Sequence, residues 1–592
     1  MNYPVWYLPG IGGGTLIALI AVTHVFISHF AVGGGLYLVM AERKGLREQN
    51  RGILDFTRSH AKFFMLVTMV AGGMTGVGIW FVISLVQPAA TSLLIHTFVF
   101  GWAAEWVFFL VEIVAVLVYY YTFDRMAPRT HMAVGWVYFV SAWLSLFLIT
   151  GIIGFMLTPG GWLQNASFWS GFFNPSFWPS LVFRTCIALM FAGVYAFVTT
   201  AFLKDRELKA AMTRFSGKWV LLAFLPAVPA GFWYLSVLPG PARALVAGGS
   251  PTIQRALEWG LWAVIALLVL SLLLTLARPA AHNKLLSFVV LGCAFLFMGS
   301  FEWTREAARR PYVINEVMYS NGLLEKDVTA LCAEGCLPTA RWGGMRELHE
   351  ESLVEAGAAL FRVQCFACHS VGGPNNDILP RTATMPFAAL KTYISSLHER
   401  RYFMPPFAGT DAEARALAAY LTAGLHGKPL PPEEPPAVAG ADEGRTIFEE
   451  NCLFCHPLEL VEARTSGWSR EKVREGIGNL SALNPAMPDF YGTEEEKDLL
   501  AAYIASLQGS VPVAGHDPGE DVFEEHCALC HTLEGDYNQL LPKIAGWDEA
   551  KIRAALDGLE RLNPAMPPLS ATAAEKDALA RFLAESLKGG AR

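Results

Sequence analysis

The residues with the clearest chemistry are six cysteines and three histidines in the C-terminal half, arranged as three copies of one motif. Each copy reads Cys-x-x-Cys-His. Two thiols at this spacing can form thioether bonds to one porphyrin, and the adjacent imidazole can ligate its iron. A single copy can arise by chance, whereas three copies in a common register cannot. The motifs predict three covalent c haems, at Cys365-Cys368-His369, Cys452-Cys455-His456 and Cys527-Cys530-His531.

The register extends well beyond the motif. In every copy a glycine stands eight residues before the first cysteine and a phenylalanine four residues before it. Downstream, each copy has a methionine followed by proline, and an aromatic residue 16 positions after that methionine. The pattern resembles the class I cytochrome c fold repeated three times, in which a methionine thioether is the second axial ligand and raises the haem potential. The predicted ligand pairs are His369–Met404, His456–Met487 and His531–Met566.

Charge and hydropathy divide the 592 residues into two halves. Residues 1–303 are apolar with a net charge of +8, and residues 304–592 carry a net charge of −15. The mean hydropathy of +0.36 excludes a disordered, fibrous or ordinary soluble protein. The acidic half argues against nucleic acid as a partner and suits a basic protein. The composition therefore predicts a membrane half followed by several water-soluble domains.

Eight apolar segments are long enough to cross about 30 Å of hydrocarbon. The loops on one side hold 15 Lys and Arg residues, and those on the other side hold two. The positive-inside rule then places the N-terminus and everything after residue 303 outside the cytoplasm. The predicted segments lie near 15–41, 63–87, 96–123, 132–157, 179–203, 219–239, 257–277 and 285–303.

Polar side chains within these segments are candidate functional residues, because burying them in lipid is costly. Glu105 and Glu112 are seven residues apart and share one helical stripe, and His24 lies at a depth similar to that of Glu105. Arg184 lies just inside the fifth segment. Two interpretations of it remain open: it holds a haem propionate, or it extends to the membrane surface.

Three stretches of this half resemble subunit I of the cytochrome bd oxygen reductases. They are ALIAVTHVFISHFAVGGGLYLVMAE, EWVFFLVEIVAVLVYYYTFDR and FEWTREAARRPYVINEV. The resemblance implies that His24 is an axial ligand of the active-site haem pair and that Glu112 is a proton-pathway residue. It also implies that Glu306 ligates haem and that Arg309 stands at the family's arginine position, on a propionate. One or two non-covalent haems of b or d type and a second multi-span subunit are expected on the same basis.

The sequence departs from that family at three places. The family's haem-pocket glutamate aligns with Ala104, one place from Glu105, and no histidine stands between Leu181 and Arg184, where a low-spin haem ligand is expected. The sixth and seventh segments also contain no methionine to serve as the other ligand. The outer loop after the sixth segment has only about 17 residues, whereas quinol-oxidising members carry a long loop there. The sequence therefore lacks both the expected ligands of the low-spin haem and the long quinol loop.

These observations predict an all-α protein of five parts. Cys332 and Cys336, spaced CxxxC, are expected to form a local disulfide in an oxidising compartment. Residues 428–440 form a Pro-rich spacer, and residues 509–519 separate the last two units. The predicted parts are a membrane domain at 1–310, a linker at 311–350, and cytochrome c domains at 351–428, 441–510 and 517–590.

The function predicted from these parts is a cytochrome c-fed oxygen reductase in the bacterial inner membrane, with its c domains in the periplasm. His24, Glu105, Glu112, Glu306 and Arg309 form its predicted membrane site. Its expected partners are a periplasmic electron donor, a second membrane subunit and lipid. Two alternatives remain open: a quinol dehydrogenase that passes electrons outward, and a reductase of nitric oxide or another small oxidant.

Overall fold

The computed structural model is almost entirely α-helical, which confirms the predicted fold class. Its described residues form two compact units: Met1–Thr384 with Ile394–Lys428, and Met385–Tyr393 with Pro429–Arg592. The structure describes residues 3–431, 443–453, 458–465, 468–483, 487, 489–507, 518–527, 531, 533, 539–562, 566, 569 and 571–589.

The first unit contains eight helices that are long and apolar enough to cross a membrane, one for each predicted segment. The second of them includes a π-helical stretch at Leu66–Gly72. In chain order the eight are α1 Gly13–Arg47, α2 Arg51–Val86, α3 Val99–Tyr121, α4 Pro128–Gly154, α5 Phe177–Thr200, α6 Arg206–Ser236, α7 Pro251–Ala277 and α8 Lys284–Ala307.

Polar capping residues in the basic loops set where several of these helices begin. Asn50 accepts a hydrogen bond from the backbone N–H of Ile53 at 3.2 Å, and Asn283 accepts one from Leu286 at 3.0 Å. Each cap satisfies an N–H group that has no partner within the helix. The side chain of Asp205 caps α6 in the same way.

The core of the bundle lies around α5, which packs against α1, α6 and α8. Phe30 of α1 stacks on Tyr195 of α5 with ring centroids 3.9 Å apart, and Phe26 packs on Phe191 at 5.0 Å. Many side chains on the outer surfaces of α3 and α7 are large, apolar and exposed, including Phe100, Leu110 and Trp262. Such surfaces suit lipid or another membrane subunit.

Shorter elements of the first unit connect the long helices and build the segment after α8. A two-stranded antiparallel sheet pairs Tyr312–Ile314 with Met318–Tyr319. The shorter helices are Pro88–Thr97, Trp162–Asn165, Phe168–Phe172, Gly240–Ala244, Leu245–Gly249, Pro279–Ala281, Glu325–Asp327, Val328–Glu334, Leu337–Thr339, Glu350–Ser352, Leu353–Leu360, Phe361–Cys365, Leu379–Thr382, Leu397–Arg400, Asp411–Ala419 and Tyr420–Gly424. The helix Phe387–Ser395 is divided between the two units.

The described secondary-structure elements of the second unit are helices. Phe448 and Phe523 are each buried in a separate apolar cluster. Its helices are Glu443–Asn451, Leu458–Arg464, Arg470–Ile477, Leu480–Leu483, Glu494–Ser506, Pro518–His526, Leu541–Lys543, Glu549–Leu556, Leu559–Leu562 and Ala573–Gly589.

The disulfide predicted between Cys332 and Cys336 is not formed, and both described thiols are free. The carboxylate of Glu413 accepts the backbone N–H groups of Cys336 and Leu337 at 2.8 and 2.7 Å. This turn buries Cys336 and leaves Cys332 exposed. Burial also raises the pKa of the Cys336 thiol to about 11, which disfavours the thiolate that disulfide formation requires.

Candidate haem sites and the glutamate stripe

The first Cys-x-x-Cys-His motif lies on a tight turn after the helix Leu353–Leu360 and its extension Phe361–Cys365. The backbone N–H groups of Cys368 and His369 both donate to the carbonyl of Cys365 at 3.0 Å. The His369 ring contacts the carbonyl of Asn376 through Nδ1 at 2.8 Å. A carbonyl can only accept, so Nδ1 carries the hydrogen and Nε2 keeps its lone pair for iron. Burial lowers the pKa of His369 to about 4, which favours this neutral ring. The donor set therefore fits a covalent haem.

Met404 lies on the loop between Leu397–Arg400 and Asp411–Ala419, and its carbonyl contacts Nδ1 of His398 at 2.6 Å. The helix after this loop begins with a capping box formed by Thr410 and Glu413. This box fixes the end of the loop that carries the predicted second ligand.

The repeat predicted from glycines and aromatic residues has a common structural basis. A Cβ on the glycine would lie 2.0 to 2.2 Å from a carbonyl of the later helix in all three copies, so only glycine permits this close crossing. The phenylalanine before each motif packs on the aromatic residue 16 places after the methionine, with centroids 5.6, 5.6 and 6.1 Å apart. The glycines are Gly357, Gly444 and Gly519, and the ring pairs are Phe361–Tyr420, Phe448–Tyr503 and Phe523–Phe582.

The ligand geometry of the second and third motifs is only partly described. Cys452 and Cys527 each follow a helix, and their backbone N–H groups donate to Phe448 and Phe523 at 2.7 and 2.8 Å. His531, Met487 and Met566 are described, whereas Cys455, His456 and Cys530 lie outside the described residues. Their role as haem ligands stays a prediction.

The ring of His24 contacts a threonine of α2. Nδ1 lies 3.1 Å from Thr75 Oγ1, and the Thr75 hydroxyl also lies 2.7 Å from the carbonyl of Ala71. The carbonyl can only accept, so the hydroxyl donates to it and accepts from Nδ1–H of His24. Nε2 of His24 then keeps its lone pair, which is the form that ligates iron. His24 therefore fits an axial haem ligand.

The two glutamates of α3 share a neighbour on α4. Ser145 donates from Oγ to Oε1 of Glu105 at 2.9 Å and also lies beside Glu112. Oε1 of Glu112 is buried and has no hydrogen-bond partner among the described residues. An unsatisfied carboxylate oxygen in the bilayer is costly and indicates a function. Ser145 places a hydroxyl between two carboxyl groups, and no pattern in the sequence indicated this role.

Neighbouring contacts give the relative depths of the predicted ligands. Trp80, five residues after Thr75 on α2, packs on Trp102, which stands three residues before Glu105 on the antiparallel α3. His24 and Glu105 thus lie within about one helical turn of the same depth, at 1.5 Å per residue.

Glu306 lies at a different depth. A Cβ at Gly299 of α8 would meet Val22 of α1 at 3.5 Å, so Glu306 lies roughly 13 Å from the level of His24 along the helices, toward the C-terminal end of α8. His24 and Glu105 therefore lie at one level of the bundle and Glu306 at another.

The described charged groups near the outer end of α8 form pairs. Arg184 donates to Glu302 at 3.0 Å and Arg305 donates to the same carboxylate at 2.8 Å. Arg184 is 3% exposed, so the interpretation that it extends to the membrane surface is wrong. Its predicted propionate contact stays a prediction, and its Nε has no partner among the described residues. Glu302 was not among the predicted site residues, although an acidic residue one turn before Glu306 in an apolar helix was a usable signal.

Arg309 donates to Glu306 and, through Nη1, to the carbonyl of Val313 at 2.8 Å. The Arg309 side chain is buried, whereas half of the Glu306 side chain is exposed. Among the described residues, no hydrogen bond or ion pair joins His24, Glu105 and Glu306 to one another, and no cluster of three His, Cys, Asp or Glu side chains could hold a metal ion. A haem iron already has four porphyrin nitrogens and needs only one or two such ligands.

The first cytochrome unit packs directly on one end of the helix bundle. Arg310, next to Arg309, places Nη1 2.7 Å from Sγ of Cys368. The N–H of Val371 donates to the carbonyl of Pro9 at 2.8 Å. The ring of Tyr7 packs on Phe366, which lies between the two haem cysteines, with centroids 4.7 Å apart. The haem-attachment turn thus contacts the segments that precede α1 and follow α8.

Comparison with known families agrees with this architecture. Residues 15–233 match the family described as cytochrome bd terminal oxidase subunit I. Residues 352–421, 439–504 and 514–583 each match cytochrome c oxidase, cbb3-type, subunit III. The first match ends before α7, so Glu306 and Arg309 lie outside it. No curated protein matches the chain. A solved structure of bd oxidase from Geobacillus thermodenitrificans shares 16% identity and a TM-score of 0.47, over 52% of this chain and 90% of that one.

Proposed function

We propose that this chain, a respiratory haem oxidoreductase with a cytochrome bd subunit I domain and three cytochrome c domains, is a cytochrome c-fed oxygen reductase. Electrons enter at the c domains, outside the cytoplasm, and pass inward to one or two b- or d-type haems in the membrane. The balanced reaction combines one O2, four electrons and four protons into two waters. A second multi-span subunit and a periplasmic donor complete the system.

The observation that carries this proposal is the position of the first Cys-x-x-Cys-His turn. Arg310 contacts Cys368 of this turn. The residue before it in the chain, Arg309, donates to Glu306. Electron transfer falls steeply with distance, so a c haem held at this point is well placed to exchange electrons with a haem bound at Glu306. The c haems would supply one-electron transfer, and the membrane haems would bind and reduce the oxidant.

The proposed residue roles follow the donor sets. His369 and Met404 hold the first c haem, and His456–Met487 and His531–Met566 hold the other two. His24 and Glu105 serve one membrane haem and Glu306 the other. Arg309 and Arg184 neutralise propionates, and Glu112 delivers protons from the cytoplasmic side. The excess of basic residues in one set of loops supports this orientation.

Three c haems per chain are expected, one on each motif. A pyridine haemochrome assay combined with protein quantification, supported by haem staining after denaturing electrophoresis, measures this number. Changing both Cys365 and Cys368 to serine should lower it to two. A value of two or fewer in fully matured parent protein would contradict the assignment.

Replacing Arg310 with alanine should lower the reduction potential of the first c haem, because a nearby cation stabilises the electron-rich reduced form. A charge about 10 Å away at an effective dielectric near 20 contributes roughly 1 to 2 kcal/mol. Solvent screening leaves about 40 to 60 mV for a one-electron couple. Spectroelectrochemical titration measures this shift. Arg310→Lys, which retains the charge, should stay near the parent potential, and an unchanged potential in Arg310→Ala would exclude this contact.

The direct test of the proposed function compares two donors on the purified complex. Oxygen uptake should proceed at a catalytic rate with reduced cytochrome c and should be slow with a quinol. Catalytic reduction of the c haems by quinol, without oxygen consumption from reduced cytochrome c, would favour outward electron flow instead.

A further inference from the structure

We propose that Glu42, Tyr119 and His131, named here the inner triad, receive protons at the cytoplasmic side and pass them toward Glu112. The inference rests on the proposed function, since it assigns the source of the protons that oxygen reduction consumes. The evidence is the hydrogen bonding of the triad, its position on the glutamate stripe and the void between it and Glu112.

The triad joins three helices in a fully buried position. Tyr119 of α3 donates from its hydroxyl to Oε2 of Glu42 on α1 at 2.7 Å. Nδ1 of His131 on α4 lies 2.8 Å from Oε1 of the same carboxyl group. The rings of Tyr119 and His131 stack with centroids 4.2 Å apart. All three residues are less than 5% exposed.

The two hydrogen bonds of the His131 ring place a mobile proton between His131 and Glu42. Nε2 of His131 lies 2.7 Å from the carbonyl of Tyr119, so Nε2 must carry a hydrogen. Nδ1 faces Glu42, which leaves two arrangements: an imidazolium beside a carboxylate, or a neutral ring accepting from a protonated carboxyl group. The arrangements differ only in the position of one proton along a 2.8 Å hydrogen bond. The His131–Glu42 pair therefore holds a transferable proton.

The triad continues the stripe of α3 toward the basic loops. Glu105, Glu112 and Tyr119 are each seven residues apart and face the same side of the helix. Tyr119 lies about 10 Å beyond Glu112 at 1.5 Å per residue. His131 lies within the first turn of α4, which begins at Pro128 after the basic loop. The order from the basic side is thus inner triad, Glu112, Glu105.

A small void lies on the path between the triad and Glu112. It is bordered by Tyr119, Val116 and Tyr138, and Gly35 and Gly135 keep it open because neither carries a side chain. A Cβ at Gly35 would lie 2.5 Å from the Tyr138 ring. Tyr138 is also close enough to Glu112 to interact with it electrostatically. Tyr119 borders the void at the triad end, and Val116, which also borders it, lies one helical turn after Glu112 on the same helix.

Proton transfer along this path needs no further reactant. A cytoplasmic proton binds the His131–Glu42 pair, and the proton that the pair releases moves through water to the Glu112 carboxylate. Glu112 passes it on as oxygen is reduced. Four such transfers accompany the four electrons that the donor cytochrome supplies for each O2.

Glu42→Gln tests this path, because glutamine keeps the shape but cannot exchange a carboxyl proton. In the purified complex we expect oxygen uptake from reduced cytochrome c to fall about 10²-fold, with a larger solvent deuterium effect. The c haems should remain reducible and should accumulate in the reduced state during turnover. Tyr37→Phe is the matched control: it removes another buried hydroxyl of α1, which contacts Ser216 at 2.8 Å. It should leave uptake and the deuterium effect at the parent values.

The possible results distinguish a failure of the proposed proton path from a failure of the proposed oxygen reductase function. Parent-like oxygen uptake and an unchanged deuterium effect in Glu42→Gln would overturn the triad and leave the reductase intact. A parent complex that consumes no oxidant from reduced cytochrome c would overturn both. If Glu42→Gln fails to assemble its haems, Tyr119→Phe tests the path instead. This change is smaller, because it removes only one oxygen atom from the triad. Slowed uptake with an enlarged deuterium effect supports the path, and parent values overturn it.

Discussion

Replacing His24 with alanine should remove a non-covalent haem from the complex and abolish oxygen uptake, while all three c haems persist. The reason is the orientation of the imidazole: Thr75 fixes Nδ1 at 3.1 Å and leaves Nε2 for iron. Loss of an axial ligand costs binding energy that the surrounding apolar helices cannot replace. Optical spectra of the reduced complex, with separate extraction of non-covalent haem, measure the effect.

His96→Ala provides the matched control, since His96 is exposed and, among the described residues, hydrogen-bonds only to Ser92 of its own helix. This variant should retain the full haem content and the parent rate of oxygen uptake. Survival of all b- and d-type absorbance in His24→Ala would show that the iron has other ligands.

Replacing Glu112 with glutamine should slow oxygen uptake by about 10²- to 10⁴-fold, the range that a positioned proton carrier contributes. Reduction of the c haems by the donor should be unaffected, because Glu112 is not part of any Cys-x-x-Cys-His motif or predicted methionine ligand. We propose this carboxyl group as the proton carrier because its Oε1 is buried and has no hydrogen-bond partner among the described residues. Oxygen-electrode rates and stopped-flow c-haem reduction measure the two steps separately.

Glu258→Gln serves as the control for this prediction. Glu258 is an exposed residue of α7 and should tolerate the change at the parent rate. An uptake rate in Glu112→Gln equal to that of Glu258→Gln would remove Glu112 from the proton route.

The fold was predictable because its determinants are local in sequence. Each span is a continuous apolar run bounded by basic loops, and the structure places one helix on every predicted segment. The threefold cytochrome c repeat was equally predictable, since the positions of Gly357, Phe361 and Cys365 recur at fixed spacing in all three copies. The close helix crossing now explains why glycine is needed at the first of these positions.

The polar clusters within the bundle were not predictable, because their members come from helices far apart in sequence. Arg184 and Glu302 are separated by 118 residues, and Glu42 and His131 by 89. A single apolar helix does not indicate which neighbour faces it. Arg184 therefore left two interpretations open, and its burial beside Glu302 excluded extension to the surface.

The packing of the first cytochrome unit on the helix bundle could not be predicted for the same reason. Residues near Tyr7 contact residues near Phe366, and neither segment carries a pattern that specifies the other. The predicted disulfide was wrong because spacing alone ignores burial. Glu413 binds the turn that places Cys336 inside and leaves Cys332 outside. Sequence spacing showed that the two thiols were close along the chain but not which way they face.

The central claim is that electrons leave the c haems inward to a small oxidant. The most direct measurement mixes the fully reduced, donor-free complex with oxygen in a stopped-flow spectrometer and follows the c-haem absorbance. The account predicts that the c haems become oxidised within the time of catalytic turnover, and that Glu112→Gln slows this oxidation. Persistently reduced c haems in the parent complex, with oxygen and any other small oxidant present, would contradict it.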